Sequence, residues 1–351
     1  MALAAILGVR AISLIAVLFA VLTLVVVTLG ATGFSDRMLT AIVQEDMRGA
    51  RQGLAQTIRD PVRLEEVLVE RKVSLEEFYG LNSPWYTRLP AMVGRVLTLD
   101  LGSARNLKSF DGSSRVIDIV LERVPLSMLL ITTSMSITAT LGLLFGAKLS
   151  TIIGTPIDRT ASYLGAASNA LPAWWAGILM IFIFSFQLGL FPSQGLYGNP
   201  PPEGGIARML DLLWHALLPI LTLVLVSVGA WTYVVRTMLL NTAQEFFVTA
   251  ARARGLPEST VMRRHILRVA APPIATNLIL GLTASLGGAI LTETVFNWPG
   301  MGRLYFDAIT TADEGVIVAL TFIFTLLYVA ARFILEILYV VLDPRIRYSS
   351  Q

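Results

Sequence analysis

Residues 243–271 read AQEFFVTAARARGLPESTVMRRHILRVAA, and the assignment of this stretch decides the fold of the whole chain. From Glu245 to Gly255 the letters spell one helix, in which Ala250, Ala251 and Ala253 alternate with Arg252 and Arg254, and Gly255 supplies a C-terminal stop. Pro257 suits the first position of a second helix and Glu258 complements that helix's positive end. Beyond them Val261, Met262, Ile266, Leu267 and Val269 recur at helical spacing. The stretch therefore predicts a helix, a tight turn and a second helix, with the basic residues outside. In a soluble protein it would pass for a DNA-binding helix-turn-helix.

Its surroundings argue otherwise. Apolar runs at 212–235 and 270–292 flank it, and further runs lie at 11–29, 127–147, 164–190 and 316–342. Each is near the roughly 20 residues that a helix needs to cross a bilayer core of about 30 Å. The chain is 55% hydrophobic and 15% charged, with a mean hydropathy of +0.69, more apolar than a soluble core requires. No run alternates with a period of two, so a helical bundle and not a β-barrel is the expected way of satisfying the backbone in lipid. A duplex gripped at 243–271 would be pressed against an anionic membrane surface, so nucleic acid is not an expected partner. The segment is read instead as a cytoplasmic docking knob, where small residues permit close approach and arginines fix orientation. The competing reading is an interfacial helix with arginines toward lipid headgroups.

Charge asymmetry sets the orientation. With the N-terminus inside, the inner segments hold Arg10, Lys148, Arg159, Arg236, the arginines of 243–271, Arg345 and Arg347, while Asp158, Glu245, Glu258 and Asp343 are the opposing acids. The short outer loops carry Arg208 and Arg303 against Glu203, Asp211, Asp307, Asp313 and Glu314. Positive charge stays inside, so both termini are expected to be cytoplasmic. The first run is taken as a true span, because it is too long for a signal-peptide core. Residues 30–126 then form a large extracytoplasmic loop with short surface helices. Asp60 before Pro61 reads as an N-cap, Ser74 with Glu77 as a capping box closed by Gly80, and Asn82, Ser83 and Pro84 as a turn before the segment 85–97. Pro172 lies near the start of the third run, and an outer loop rich in glycine and proline follows it. One membrane domain, 1–351, is the simplest division.

The chain holds no cysteine and two histidines, which removes disulfides and thiolate chemistry and argues against a metal site. No acids and histidines cluster at catalytic spacing, so no enzyme is expected. GLLFGAKLS, 142–150, is the nearest approach to a phosphate-binding P-loop and does not match it, so ATP is not expected on this chain. Gly142 and Gly146 are spaced for close helix packing. Arg332 and Glu336 stand four apart in the last run, suited to pairing with each other or to contacting a substrate. After the fifth run, Glu293, Thr294, Phe296, Trp298, Pro299, Gly300 and Gly302 form a Pro-Gly turn at its outer end, in which Trp298 equally suits an interfacial anchor. Asn169, Gln187, Asn277 and His215 are expected in helix–helix hydrogen bonds. His265 belongs to the basic face of the knob.

TAARARGLPESTVMRRHILRVAAPP resembles the EAA loop of ABC importer permeases, specifically the B-type subunits of dipeptide, oligopeptide and nickel uptake systems. The blocks YGLNSPWYTRL, LDLGS, LERVPLSMLL, GLFPSQG, ETVFNWPGMGRL and LDPRIR are similar to that family's, in its order, from about residue 79 to 347. Thr249 stands where the motif has its leading glutamate, and the family's Pro-Gly-Asp-Pro stretch is missing after the first run. The resemblance implies an all-α membrane protein with six transmembrane helices, a type I ABC importer (MetI-like) permease fold with a large extracytoplasmic loop after the first helix. It implies a prokaryotic cytoplasmic membrane and, as partners, a homologous C-type permease, two ATP-binding subunits carrying ATP and Mg, and an extracytoplasmic solute-binding protein. Contact with the ATPase falls to Thr249, Ala250, Ala251, Arg252, Arg254, Gly255, Leu256 and Pro257. The block from Glu293 to Gly302 corresponds to the outer mouth of the translocation path. Short peptides are the implied substrates, with nickel chelates, glutathione and sugars as alternatives. The rival from another class, an ion-driven transporter, needs membrane-embedded acids; only Glu336 qualifies, with Arg332 beside it.

Overall fold

The computed structural model describes residues 2–31, 33–55, 58–87, 94, 101–104, 106–311 and 313–342. Among these the regular structure is helical, apart from an isolated antiparallel bridge between Ser103 and Arg115. In chain order the helices are α1 (Ala2–Ala31), α2 (Phe34–Ala55), α3 (Pro61–Phe78), α4 (Val116–Leu149), α5 (Pro156–Ala170), α6 (Ala173–Met180), α7 (Gly205–Ala243), α8 (Phe246–Ala253), α9 (Leu267–Val295), α10 (Met301–Thr310) and α11 (Glu314–Leu342). Among the described residues, α4, α7 and the Gly315–Leu335 part of α11 are long and apolar enough to cross a membrane.

The third apolar run is not the single helix expected of it. Pro172 has no N–H and holds the preceding Leu171 in extended backbone (φ −85°, ψ 122°), so α5 stops and α6 starts in a new direction. Pro156–Ser168 and Ala173–Gln187 are bent by 99°, a broken span or a re-entrant pair. α6 runs on into a π-helical turn, Ile181–Gln187.

The loop after α1 also departs from expectation, since α2 has 22 residues and α3 has 18. Asp60 does cap α3, its carboxylate accepting the Val62 N–H at 3.1 Å. Ser74 and Glu77, however, lie inside α3 and do not open a helix of their own. No glycine or proline interrupts the stretch between Pro61 and Phe78, so nothing halts propagation there. The stop comes at Gly80 (φ +67°), where Gly80 N–H bonds the Glu77 carbonyl and Leu81 N–H the Glu76 carbonyl, a Schellman ending. The segment 85–97 is described only at the 3₁₀ turn Trp85–Thr87 and at residue 94; its remainder lies outside the described residues.

Two compact units make up the chain, one built on Leu121–Phe306 and the other on Ile12–Val120 with Asp307–Leu326. In the first, helices meet through glycine. A Cβ at Gly165 of α5 would sit 2.7 Å from the Gly229 carbonyl oxygen of α7, and one at Gly142 of α4 would sit 2.1 Å from the Trp231 ring. A Cβ at Gly146, one turn on, would sit 2.8 Å from Val235, so the Gly142/Gly146 spacing serves close packing as expected. Beside the α5–α7 contact, Arg236 grips Asp158 with two bonds of 2.5 and 2.7 Å, and Gly154 N–H adds a third at 2.9 Å. Asp158 is buried and Arg236 is half-buried, and a buried charge is stable only when paired in this way. In the second unit Val43 and Leu68 are buried where α2 packs on α3. There, too, Asn106 N–H bonds the buried carboxylate of Asp313, which precedes α11.

Gly229→Val is expected to destabilise the purified chain by at least about 1–3 kcal/mol, as overpacking does, because its side chain has no space beside Ser168 and Gly165. Gly205→Ala, with nothing within 4 Å, is expected to leave the thermal melt in detergent unchanged.

Candidate functional site

Two places in the first unit gather the residues singled out by sequence. The first is the knob after α7. Glu245 stands at the N-cap of α8, and Val248 and Ala251 turn inward onto Val235 and Leu239 of α7 and onto Val261, Ile266 and Ala270. Gly255 (φ +74°) reverses the chain in a conformation that residues with a side chain rarely adopt. The second helix starts at Glu258, with Pro257 in the capping position (φ −58°, ψ 140°), one residue later than expected. Extended backbone at Pro257 is what carries the chain out of the reversal.

From Glu258 the backbone passes through a π-helical turn, Val261–Ile266, straight into α9. The knob's second helix and the fifth apolar run are therefore one uninterrupted rod. The turn at 254–257 is joined to α9 without an intervening loop.

Arg252 has a local partner that sequence reading did not assign. Its guanidinium meets Glu258 across the turn, Nη2 to Oε1 at 2.7 Å and Nε to Oε2 at 3.1 Å. That hydrogen bond, and secondarily the opposite charge, holds the Glu258 carboxyl below its usual range and raises the Arg252 guanidinium. Arg252 stays exposed, and the exposed surface also includes Phe246 (86% exposed), Phe247, Thr249, Ala253, Arg254, Gly255, Leu256 and Pro257, with Arg263, Arg264 and Arg268 beyond the turn, while Ala250 is half-buried. Phe246 is the residue the sequence reading passed over. Its signal is the Phe-Phe pair directly after the cap, both of whose rings are exposed, Phe247 at 39%.

The second place is the turn between α9 and α10. Glu293, Phe296 and Trp298 are buried, at 1%, 1% and 0% exposure, and Gly300 is buried with them. Glu293 accepts the Ser127 hydroxyl of α4 at 2.6 Å and the Arg303 N–H at 3.0 Å. A Cβ at Gly300 would fall 2.4 Å from the Glu293 carboxylate, so the carboxylate occupies the space a side chain would need. Trp298 donates its indole N–H to the Leu126 carbonyl at 3.2 Å, and Phe296 packs against Gly177 of α6. Trp298 is thus a core residue and not an interfacial anchor. Thr294 is half-buried and bonds back to Ile290 of its own helix.

Arg332 is half-buried on α11, whereas the side chain of Glu336, its expected partner, lies outside the described residues, as do the Asn169 side chain and 343–347. Two expected helix–helix bonds turn out to be made within single helices. His215 Nδ1 lies 2.8 Å from the Asp211 carbonyl, and the Asn277 amide bonds the carbonyl of Pro273. In both cases a carbonyl four residues back is the nearer partner. Asp211 reaches outward instead, accepting the Gly198 N–H of the loop at 2.8 Å.

A membrane-embedded helical chain, with an exposed knob joined rigidly to one long helix, matches known transport components in sequence. Residues 138–348 match the family described as "Binding-protein-dependent transport system inner membrane component". The chain belongs to that family, and it is a multi-pass membrane protein. It is 29% identical over 272 residues to the oligopeptide transport system permease protein AppB of Bacillus subtilis (strain 168), covering 78% of this chain and 84% of the relative. Identity to the di/tripeptide transport system permease protein DppB of Pseudomonas aeruginosa (strain UCBPP-PA14) is 30% over 284 residues, or 77% and 83% of the two chains. A solved structure titled "Inward facing conformations of the MetNI methionine ABC transporter" aligns with a TM-score of 0.49 and 19% identity, over 64% of this chain and 98% of that one.

Because Arg252 and Glu258 are both about half exposed, their pair is worth under about 1 kcal/mol. Its contribution is present at neutral pH and is lost as pH falls through the depressed Glu258 value, since the folded carboxyl is held below its unfolded one. Glu258→Gln is expected to lower the melting temperature by a few degrees at most at pH 7. In acid below the carboxylate range the variant and the parent should melt together.

Proposed function

We propose that this chain is the B-type permease subunit of an ATP-driven ABC importer that moves short peptides across the cytoplasmic membrane. The observation that carries the reading is the joining of an exposed small-residue knob to α9, in a chain alignable over more than four-fifths of the length of two permeases named for oligopeptides and di/tripeptides. In this reading six spans come from α1, α4, the bent pair α5–α6, α7, α9 and α11. Both termini and the knob at 243–271 are cytoplasmic, and the loop 30–126 is outside. A homologous C-type permease completes the pathway, and a solute-binding protein delivers the peptide. Two ATP-binding subunits hold ATP and Mg.

Each part of the knob then has a task. Phe246, Thr249, Ala250, Ala253 and Leu256 offer a low, partly apolar surface to a cleft in the ATPase subunit, and Arg254 fixes the approach by charge. Arg252 and Glu258 hold the turn in shape, so that force applied to it is not absorbed by local bending. Thr249 in place of an acid makes the contact one of packing more than of ion pairing. Closure of the ATPase dimer displaces the turn, α9 carries the displacement into the membrane, and the pathway alternates between inward-open and outward-open. The energy for uphill transport comes from another chain.

The test is to co-express the chain with its candidate partner subunits and to measure uptake of a labelled dipeptide together with ATP hydrolysis. Gly255→Trp should assemble yet lose peptide-stimulated hydrolysis by about tenfold or more, the effect of displacing a contact worth at least 1.4 kcal/mol. Unchanged stimulation would sink the docking role. Uptake of a nickel chelate, glutathione or a sugar in preference to peptide would redirect the substrate class.

A further inference from the structure

The turn between α9 and α10 is more heavily bonded than a connection needs to be. α10 is a 10-residue helix, about 15 Å long, too short to be held in place by spanning a bilayer. Its first N–H groups have no partners within the helix, and Met301 and Gly302 are buried, so these donors must be satisfied by other parts of the chain. Two side chains do this. Ser127 Oγ accepts the Met301 N–H at 2.7 Å, and Glu293 accepts the Arg303 N–H at 3.0 Å.

Ser127 also donates its own proton to Glu293 at 2.6 Å, so one hydroxyl serves both sides of the junction. The Glu293 carboxylate sits at the positive end of α10, where a negative group is favoured. Two further bonds join α4 to the same turn: Arg123 Nη1 donates to the Pro299 carbonyl at 3.2 Å, and the Trp298 indole N–H donates to the Leu126 carbonyl. Thus α4, the end of α9 and the start of α10 meet at one buried polar joint.

We propose that Ser127 and Glu293 are positioning residues that lock the start of α10 onto α4 and α9, and that this joint stays closed through the transport cycle, so the three helices move together at that point. The proposal rests on the permease reading above. A buried joint of this kind has little tolerance for partial opening, because each separated donor or acceptor would be left dry. Displacement arriving along α9 is therefore passed to α4 and α10 without slack. Loosening the joint lets ATP hydrolysis continue while less peptide is moved per ATP.

The experiment uses the full importer, with its partner subunits, in lipid nanodiscs. Hydrogen exchange of the peptide covering 300–306 is followed in nucleotide-free and vanadate-trapped states, and peptide carried per ATP is measured alongside. Wild-type amides of Met301 and Arg303 should exchange slowly in both states. Ser127→Ala and Glu293→Ala should exchange roughly ten- to a hundredfold faster, as expected when a buried donor loses its partner, and should carry less peptide per ATP. Glu293→Gln keeps an acceptor for the Arg303 N–H and should restore most of the coupling, which loss of fold alone would not produce. Opening of the wild-type joint in the trapped state would overturn the proposal, as would unchanged exchange in both alanine variants. So would unchanged peptide per ATP in variants whose exchange has risen. If Glu293→Ala does not assemble, Ser127→Ala and Gly300→Ala, whose methyl pushes on the carboxylate, carry the same comparisons. A wild type that imports no peptide would count against the substrate class, and the exchange measurements would still decide whether the joint is closed.

Discussion

Inside a bilayer a backbone N–H or C=O has no water to turn to, and each one left unmet costs several kcal/mol, about as much as many core side chains contribute. Long helices meet this constraint by themselves, which is why α4 and α7 run 34 and 39 residues, well past the apolar runs that announce them. The informative places are those where a helix stops. At Pro172 the chain breaks where one donor is missing by chemistry, and a π-helical turn follows before the next loop. At the start of α10 the free donors are taken up by Ser127 and Glu293, residues separated by 166 positions in the chain. The start of α10 is tolerated because specific side chains receive its donors, whereas α6 starts after Pro172 with no side-chain cap.

Glycine provides the complementary device. Lipid does not squeeze apolar helices together as water does, so association depends on close van der Waals contact. Gly142, Gly146, Gly165 and Gly229 remove the side chains that would keep α4 and α5 away from α7. The bidentate Arg236–Asp158 pair then fixes the register of α5 on α7, the guanidinium neutralising a buried carboxylate. On such a scaffold the knob can be small and exposed. Its shape comes from one positive-φ glycine, one cross-turn ion pair and a few buried aliphatic residues shared with α7.

The knob's second helix continues into α9 with no linker between them. The basic letters that first draw the eye at 243–271 are partly occupied within the chain, since Arg252 is held by Glu258. Left exposed are the apolar Phe246 and Leu256 together with Arg254, Arg263, Arg264 and Arg268.

From the sequence alone came the helical membrane class, the knob and its glycine stop, the Asp60 cap and the glycine spacing at 142 and 146. These are local: hydropathy over a window, or a residue type whose backbone preference is settled within a few positions. The bend at Pro172 and the passage of α3 through Ser74 have local causes, a proline and the lack of any helix breaker, whereas tertiary structure alone decided the burial of Trp298 and the meeting of Glu293 with Ser127. His215 and Asn277 make the same point, because only packing determines whether a polar side chain in a span bonds a neighbouring helix or its own carbonyls. The physical reason is that a buried carboxylate or indole takes its role from the partners that folding brings to it, and those partners lie too far along the chain for any local pattern to record.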